Sequence, residues 1–257
     1  MQGNDLPLFA EVRIMEALEF IFARLVQWLV LEQSDEFGYF IHINGHPINQ
    51  QKNTPYPPFR DKYIDNSFWL LFDMFLKSNF YHGEETFNTL NRINHSIIIC
   101  RESSMPAQAL TLSVAVEDLI SKEFSDVWHP SEDLIKKVEQ AFELIDGSHF
   151  DGDFKSRLKG SIGGIKKARA DDILRFMVEK NVITQEQLLA WRFVRNKTAH
   201  GDFEALGSLQ EMIGYCDKLL VLFYRLIFQC IGYEGRFTDY GVVDYPDDIY
   251  HTVKLND

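Results

Sequence analysis

The chain reads as a mostly α-helical protein: an up-and-down helical bundle with a small N-terminal α/β appendage containing a β-hairpin. Three observations lead to this class. From about residue 84 onward, apolar residues recur at helical spacing. A strand-like run is confined to Tyr39–Ile43, next to the Asn44-Gly45 turn signal. A length of 257 residues with 46% hydrophobic content is enough for a substantial core.

The elements follow in order. Residues 10–32 read as a helix, because Ile14, Leu18, Ile21, Leu25 and Trp28 form one apolar stripe. Tyr39-Phe40-Ile41-His42-Ile43 reads as a strand turning at Asn44-Gly45, and Pro47 limits the returning strand to an edge. The prolines at 55, 57 and 58 mark a loop, followed by an aromatic-rich helix over 65–78. The next helix, 84–101, turns Leu90, Ile93, Ile97 and Cys100 inward. Ser103, Ser104 and Pro106 open a helix over 105–124. Ser131 opens one over 132–146, with Leu134, Val138, Ala141 and Ile145 inward. Residues 154–180 read as helical but weakened by Gly160, Gly163 and Gly164. Thr184-x-x-Gln187 is a capping box for a helix that ends at His200, with Gly201 as its cap. The last long helix, 208–231, carries two adjacent apolar stripes, enough for a central helix or one shared with a subunit interface. The expected organisation is a helix-hairpin-helix region over 1–82, a bundle over 83–233 and an acidic tail over 234–257 with room for short strands.

Composition excludes several classes. A formal charge of −12 argues against broad nucleic-acid coating but leaves room for a local basic site. The three cysteines form no Cys-x-x-Cys or Cys/His cluster, which fits buried thiols in a reducing cytoplasm. The most apolar run, Leu219–Ile231, is broken by Arg225 and Gln229 and is too short to span a bilayer, so no membrane partner is expected. His42 and His46 flank the Asn-Gly turn without a carboxylate or cysteine partner, so no metal site and no cofactor are expected.

The most informative segment is Trp191-Arg192-Phe193-Val194-Arg195-Asn196-Lys197-Thr198-Ala199-His200-Gly201. Arg195 is a permanent cation that grips phosphate, and His200 moves a proton near neutral pH. The pair is sufficient in kind for RNA cleavage without a metal. At ~100° per residue, Leu189, Phe193, Asn196 and His200 share one stripe, read here as inward, while Arg195 lies ~140° from His200 and groups with Leu188 and Trp191. Three routes bring Arg195 and His200 to one phosphate: an unwound helix end, a curled arginine, or a second subunit. Attack by a ribose 2′-hydroxyl needs both a base and an acid, and one chain offers one motif histidine. A two-fold homodimer would supply two.

The segment Arg195-Asn196-Lys197-Thr198-Ala199-His200 resembles the Arg-x4–6-His signature of the HEPN superfamily, in its Arg-polar-x3-His form. Ala109–Glu117, small and apolar and ending in an acid, resembles a helix of the ApeA-like branch associated with bacterial anti-phage defence. Leu219–Tyr240, with Tyr224-Arg225 and Gly232-Tyr233-Glu234-Gly235, resembles that branch's closing helix and turn. The resemblance spans about 84–240. It implies a four- or five-helix bundle, a homodimer and, in many members, metal-independent endoribonuclease activity. Arg195 and His200 would then be catalytic, with Asn196 orienting them. Larger relatives carry an extensive β-rich front, whereas residues 1–80 offer little more than one hairpin. Other members are non-catalytic RNA- or protein-binding modules, and others are toxins held by an antitoxin or another defence-system partner.

Two further features bear on the same chemistry. Lys155, Arg157, Lys159, Lys166, Lys167 and Arg169 fall within fifteen residues that hold no acid. They read either as an RNA-backbone contact, joined by Lys197, or as a solvated helix face. Glu117 shares a face with Leu110 and Val114, and reads either as a partner for Arg195 or as a boundary residue reaching water.

Overall fold

The computed structural model describes residues 9–35, 38–43, 56–60, 66–81, 89–199 and 207–255. Helices α1 (Ala10–Phe22), α2 (Asn66–Tyr81), α3 (Thr89–Cys100), α4 (Met105–Glu123), α5 (Glu132–Asp146), α6 (Gly152–Gly163), α7 (Ala170–Glu179), α8 (Gln185–Ala199) and α9 (Leu209–Ile231) dominate. Two antiparallel hairpins accompany them: β1 (Val30–Asp35) with β2 (Gly38–Ile43), and β3 (Gly235–Thr238) with β4 (Asp247–Tyr250). The expected mostly α bundle with a small β element is the architecture found. Among the described residues, no helix is long and apolar enough to cross a membrane.

Local chemistry sets most helix boundaries where the sequence places them. Ser131 Oγ accepts the Leu134 N–H at 3.2 Å, fixing the start of α5. Thr184 and Gln187 exchange both capping-box bonds, at 2.9 and 3.2 Å. Gly232 closes α9 at φ 75°, a left-handed conformation that glycine adopts at little cost.

Three expectations change. The helix expected over 10–32 stops at Phe22; of the expected stripe Ile21 is buried but Ile14 is exposed, and the buried face runs through Arg13, Glu16, Ala17 and Phe20. Ala23 turns left-handed at φ 48°, and the Glu19 carboxylate accepts the Val26 N–H at 3.1 Å, drawing the chain away from the helix. Residues 30–35 then pair with 38–43, from Val30 opposite Ile43 to Asp35 opposite Gly38. The 39–43 strand therefore stands, but its partner precedes it. Asn44, Gly45 and Pro47 lie outside the described residues. The helix expected over 154–180 breaks after Gly163 into a single 3-10 turn and an extended Lys167 at ψ 135°. Asp172 then accepts the Arg169 N–H at 3.2 Å and starts α7 afresh.

One buried cluster takes residues from α1, α2, α3, α4, α7, α8, α9 and the C-terminal segment. Phe20 of α1 stacks on Phe75 of α2 with centroids 4.4 Å apart, and meets Tyr224 of α9 edge-on. Phe237, Tyr240 and Tyr250 from beyond residue 233 join the same cluster. Tyr240 Oη donates to Pro57 O at 2.7 Å, and Tyr224 Oη to Tyr56 O at 2.5 Å. The residues from 219 to 224 on α9 are all buried, covered by α4, α8, α2 and the C-terminal hairpin. The middle of the helix's apolar perimeter is thus used within the chain, while Leu209 at its start is 61% exposed.

Burial has an electrostatic cost on α9. The Asp217 carboxyl is pushed up to about 6 by burial, against the opposing pull of Arg101. Its folded pKa lies above its unfolded value, so folding is favoured while it is protonated and loses that advantage as pH rises through about 6. Asp217→Asn should therefore raise the melting temperature at pH 7.5, and the gain should shrink as pH falls below about 6 and vanish only below the ordinary aspartate value of 3.8. A gain that is constant with pH would show that ionisation of Asp217 carries no cost.

Candidate active site

The motif helix α8 buries Leu188, Trp191, Val194 and Thr198. This corrects the expected inward stripe. Leu189 is 52% exposed and Asn196 is exposed, while Phe193 is half-buried and stacks on Tyr215 at 4.5 Å, so the described part of that stripe lies at the surface. The helix has two apolar stripes, and the one bearing the large Trp191 ring takes the core. Trp191 Nε1 also donates to Ser113 O on α4 at 3.2 Å, which pins α8 to α4.

Arg195 follows Trp191 by one turn and emerges at the α4–α8 boundary. Its Nε donates to Glu117 Oε2 at 2.5 Å and its Nη2 reaches Glu117 Oε1 at 3.5 Å. Of the two readings open for Glu117, the partnership with Arg195 is the one present, and this bond raises the already high pKa of the guanidinium. The contact is side-on: it uses Nε and Nη2 and leaves Nη1 outside the pair. Both side chains stay about two-fifths accessible, so a ligand can approach.

One turn earlier, Arg192 forms a side-on pair with Asp171 at the start of α7, with Nη2 to Oδ2 at 2.9 Å. Arg175 donates to the same carboxylate at 2.9 Å. Arg192 first, and Arg175 with it, hold the Asp171 carboxyl below the usual carboxylate range. Sequence reasoning missed Asp171 and Arg192. Both sit at ordinary helix positions, where an acid in a first turn reads as a dipole partner and an arginine as surface.

These pairs edge a cleft of roughly 1250 Å³ between α3, α4, α7 and α8. Arg92, Glu117, Asp118, Arg169, Arg195 and Asn196 all line it. A second hollow of about 520 Å³ shares Arg169, Arg195 and Asn196. The structure thus brings together Arg195, Asn196, Glu117 and Arg169. His200 lies outside the described residues, and Lys197 is half-buried in the last turn of α8.

The basic segment divides. Lys155 donates to Asp146 O at 2.9 Å, Lys159 reaches the Asp146 carboxylate at 2.6 Å, and Lys166 lies 3.9 Å from Glu139. The Phe142 ring faces both Lys159 and Lys166 at 5.8 Å. These three cations hold α6 and the 3-10 turn against α5. Arg157, Lys167 and Arg169 are exposed and make no ion pair among the described residues. The segment is therefore partly an internal clasp, with Arg169 as its member at the cleft.

Among the described residues, no group of three or more His, Cys, Asp or Glu side chains could hold a metal ion. No protein-family model, curated protein or solved structure matches the chain.

Proposed function

We propose that the protein is a HEPN-type, metal-independent endoribonuclease that acts as a homodimer in the cytoplasm, in prokaryotic phage defence or a toxin–antitoxin response. The observation that carries this reading is the Arg195–Glu117 contact at the mouth of a large cleft. A catalytic arginine must present its charge at a fixed place, and a side-on carboxylate fixes the guanidinium while leaving one amino group for phosphate. The motif puts His200 five residues after Arg195 in the sequence.

In this reading the ribose 2′-oxygen attacks phosphorus as its proton passes to one His200, and the bond to the 5′-oxygen breaks as that oxygen takes a proton from the second His200. Arg195 offsets the charge on the phosphorane. The homodimer rests on this need for two proton-transfer groups. A shared cleft predicts that mixing His200→Ala chains with wild-type chains lowers activity well beyond dilution. Activity proportional to the wild-type fraction would refute it. Cleavage should persist in EDTA and leave a 2′,3′-cyclic phosphate or its hydrolysed form. A 5′-phosphate product, or strict dependence on divalent metal, would overturn the chemistry.

A second reading, a non-catalytic RNA- or protein-binding module, is favoured by the apolar floor of the cleft. There Leu110 and Val114 of α4 are 38% and 48% exposed. Binding of RNA without any cleavage would select it.

A further inference from the structure

We propose that the cleft between α3, α4, α7 and α8 seats a short stretch of single-stranded RNA beside Arg195, with bases against Leu110 and Val114 and a neighbouring phosphate on Arg169. This rests on the ribonuclease reading and extends it to how the strand is held.

Size is the first argument. At roughly 1250 Å³ the cleft exceeds the ~300–1,000 Å³ of ordinary small-molecule pockets. The second hollow continues it past Arg195, Asn196 and Arg169. Together the two hollows have room for more than one nucleotide.

The floor is the second. α4 packs inward through Leu112, Ala115, Val116 and Leu119, yet Leu110 and Val114, one turn apart, remain exposed inside the cleft. Flat aliphatic surface of this kind suits the face of a nucleobase. Ser96, Thr111 and Ser121 border it and can bond to base edges.

Charge is the third. The acids around the cleft are already engaged. Glu117 is held by Arg195, and Asp118 by Arg92 at 3.1 Å and Lys122 at 3.0 Å. Asp171 is held by Arg192 and Arg175, and Asp172 by the Arg169 N–H. The Arg169 side chain makes no ion pair among the described residues, and Arg195 Nη1 lies outside the Glu117 pair. The cleft therefore offers two guanidinium groups to an anion and aliphatic surface to whatever the anion carries. A single strand has both features accessible, whereas a duplex hides its base faces.

The test uses the full chain and a labelled, uncleavable single-stranded 2′-O-methyl oligoribonucleotide, with binding followed by fluorescence anisotropy. Val114→Trp fills the floor, and Arg169→Ala removes an exposed cation without disturbing the core. Each should weaken binding about tenfold, the order of one lost base or phosphate contact. Arg169→Ala should also lower the slope of log affinity against log salt by about 0.7. Phe150→Ala, exposed between α5 and α6, should bind like wild type.

Wild-type affinity in both cleft variants, or equal competition by a matched duplex, would overturn the proposal. The two readings fail separately. Should the wild-type chain bind through the cleft but cleave nothing, the ribonuclease reading falls and the cleft assignment stands. Should it cleave through Arg195 while both cleft variants bind normally, the cleft assignment falls and the ribonuclease reading stands. A wild-type chain that does not bind the oligonucleotide overturns the cleft assignment, while cleavage of unmodified RNA decides the ribonuclease reading.

Discussion

His200→Ala and Arg195→Ala should each remove cleavage of single-stranded RNA, by about a hundred- to ten-thousand-fold, the size expected for losing a general acid–base or a charge that stabilises the transition state. The losses should differ in kind. His200→Ala removes proton transfer and should lower kcat with little effect on KM. Arg195→Ala removes a phosphate contact and should also weaken binding. Neither change should unfold the protein. Arg195 and Glu117 are each about two-fifths accessible, so separating them should cost at most about 1 kcal/mol. Melting curves recorded beside the assay check this. Undiminished cleavage by His200→Ala would end the catalytic assignment, whatever Arg195→Ala does.

The largest effect on stability should come from Phe228→Ala. Phe228 is fully buried in α9, with ring centroids of Tyr233 at 4.9 Å, Tyr250 at 5.5 Å and Phe237 at 5.7 Å. It is the surface on which the C-terminal hairpin rests. Truncating such a ring leaves a cavity walled by aromatic groups that cannot easily collapse, and costs about 3–5 kcal/mol. Urea denaturation should show this loss, while Phe150→Ala, at an exposed ring, should stay within about 0.5 kcal/mol. Equal stability of the two variants would mean that the hairpin does not rest on α9 in solution.

Much of the helical frame was legible because its signals are local. Ser131, and Thr184 with Gln187, act within three residues of themselves. The inner face of α3, read as Leu90, Ile93, Ile97 and Cys100, is buried throughout. What was not legible depends on partners distant in sequence. The end of α1 follows from a Glu19 side chain bending back to Val26, and β1 exists because β2 is there to pair with it. The site divides in the same way. Glu117 could be matched to Arg195 because both lie at the polar edge of apolar stripes. Nothing in the chain marks Asp171 as the partner of Arg192, twenty-one residues away. The inward stripe of α8 was misassigned because two apolar faces compete there, and a single helix does not reveal which one its neighbours cover.

The contacts that residues 56–58 make with α9 and the segment after it have a consequence for how the chain is made. Thr238 N donates to Pro58 O at 2.8 Å, and Tyr240 and Tyr224 bond to the same short stretch of carbonyls. These bonds join positions 168 to 183 residues apart. During synthesis the front of the chain leaves the ribosome long before the segment that covers it exists. The rings of Phe20 and Phe75 must wait for α9 and the hairpin behind it. The core therefore closes only once the residues through Tyr240 have emerged, and a chain halted shortly before Phe237 would carry the whole motif helix on an unfinished body.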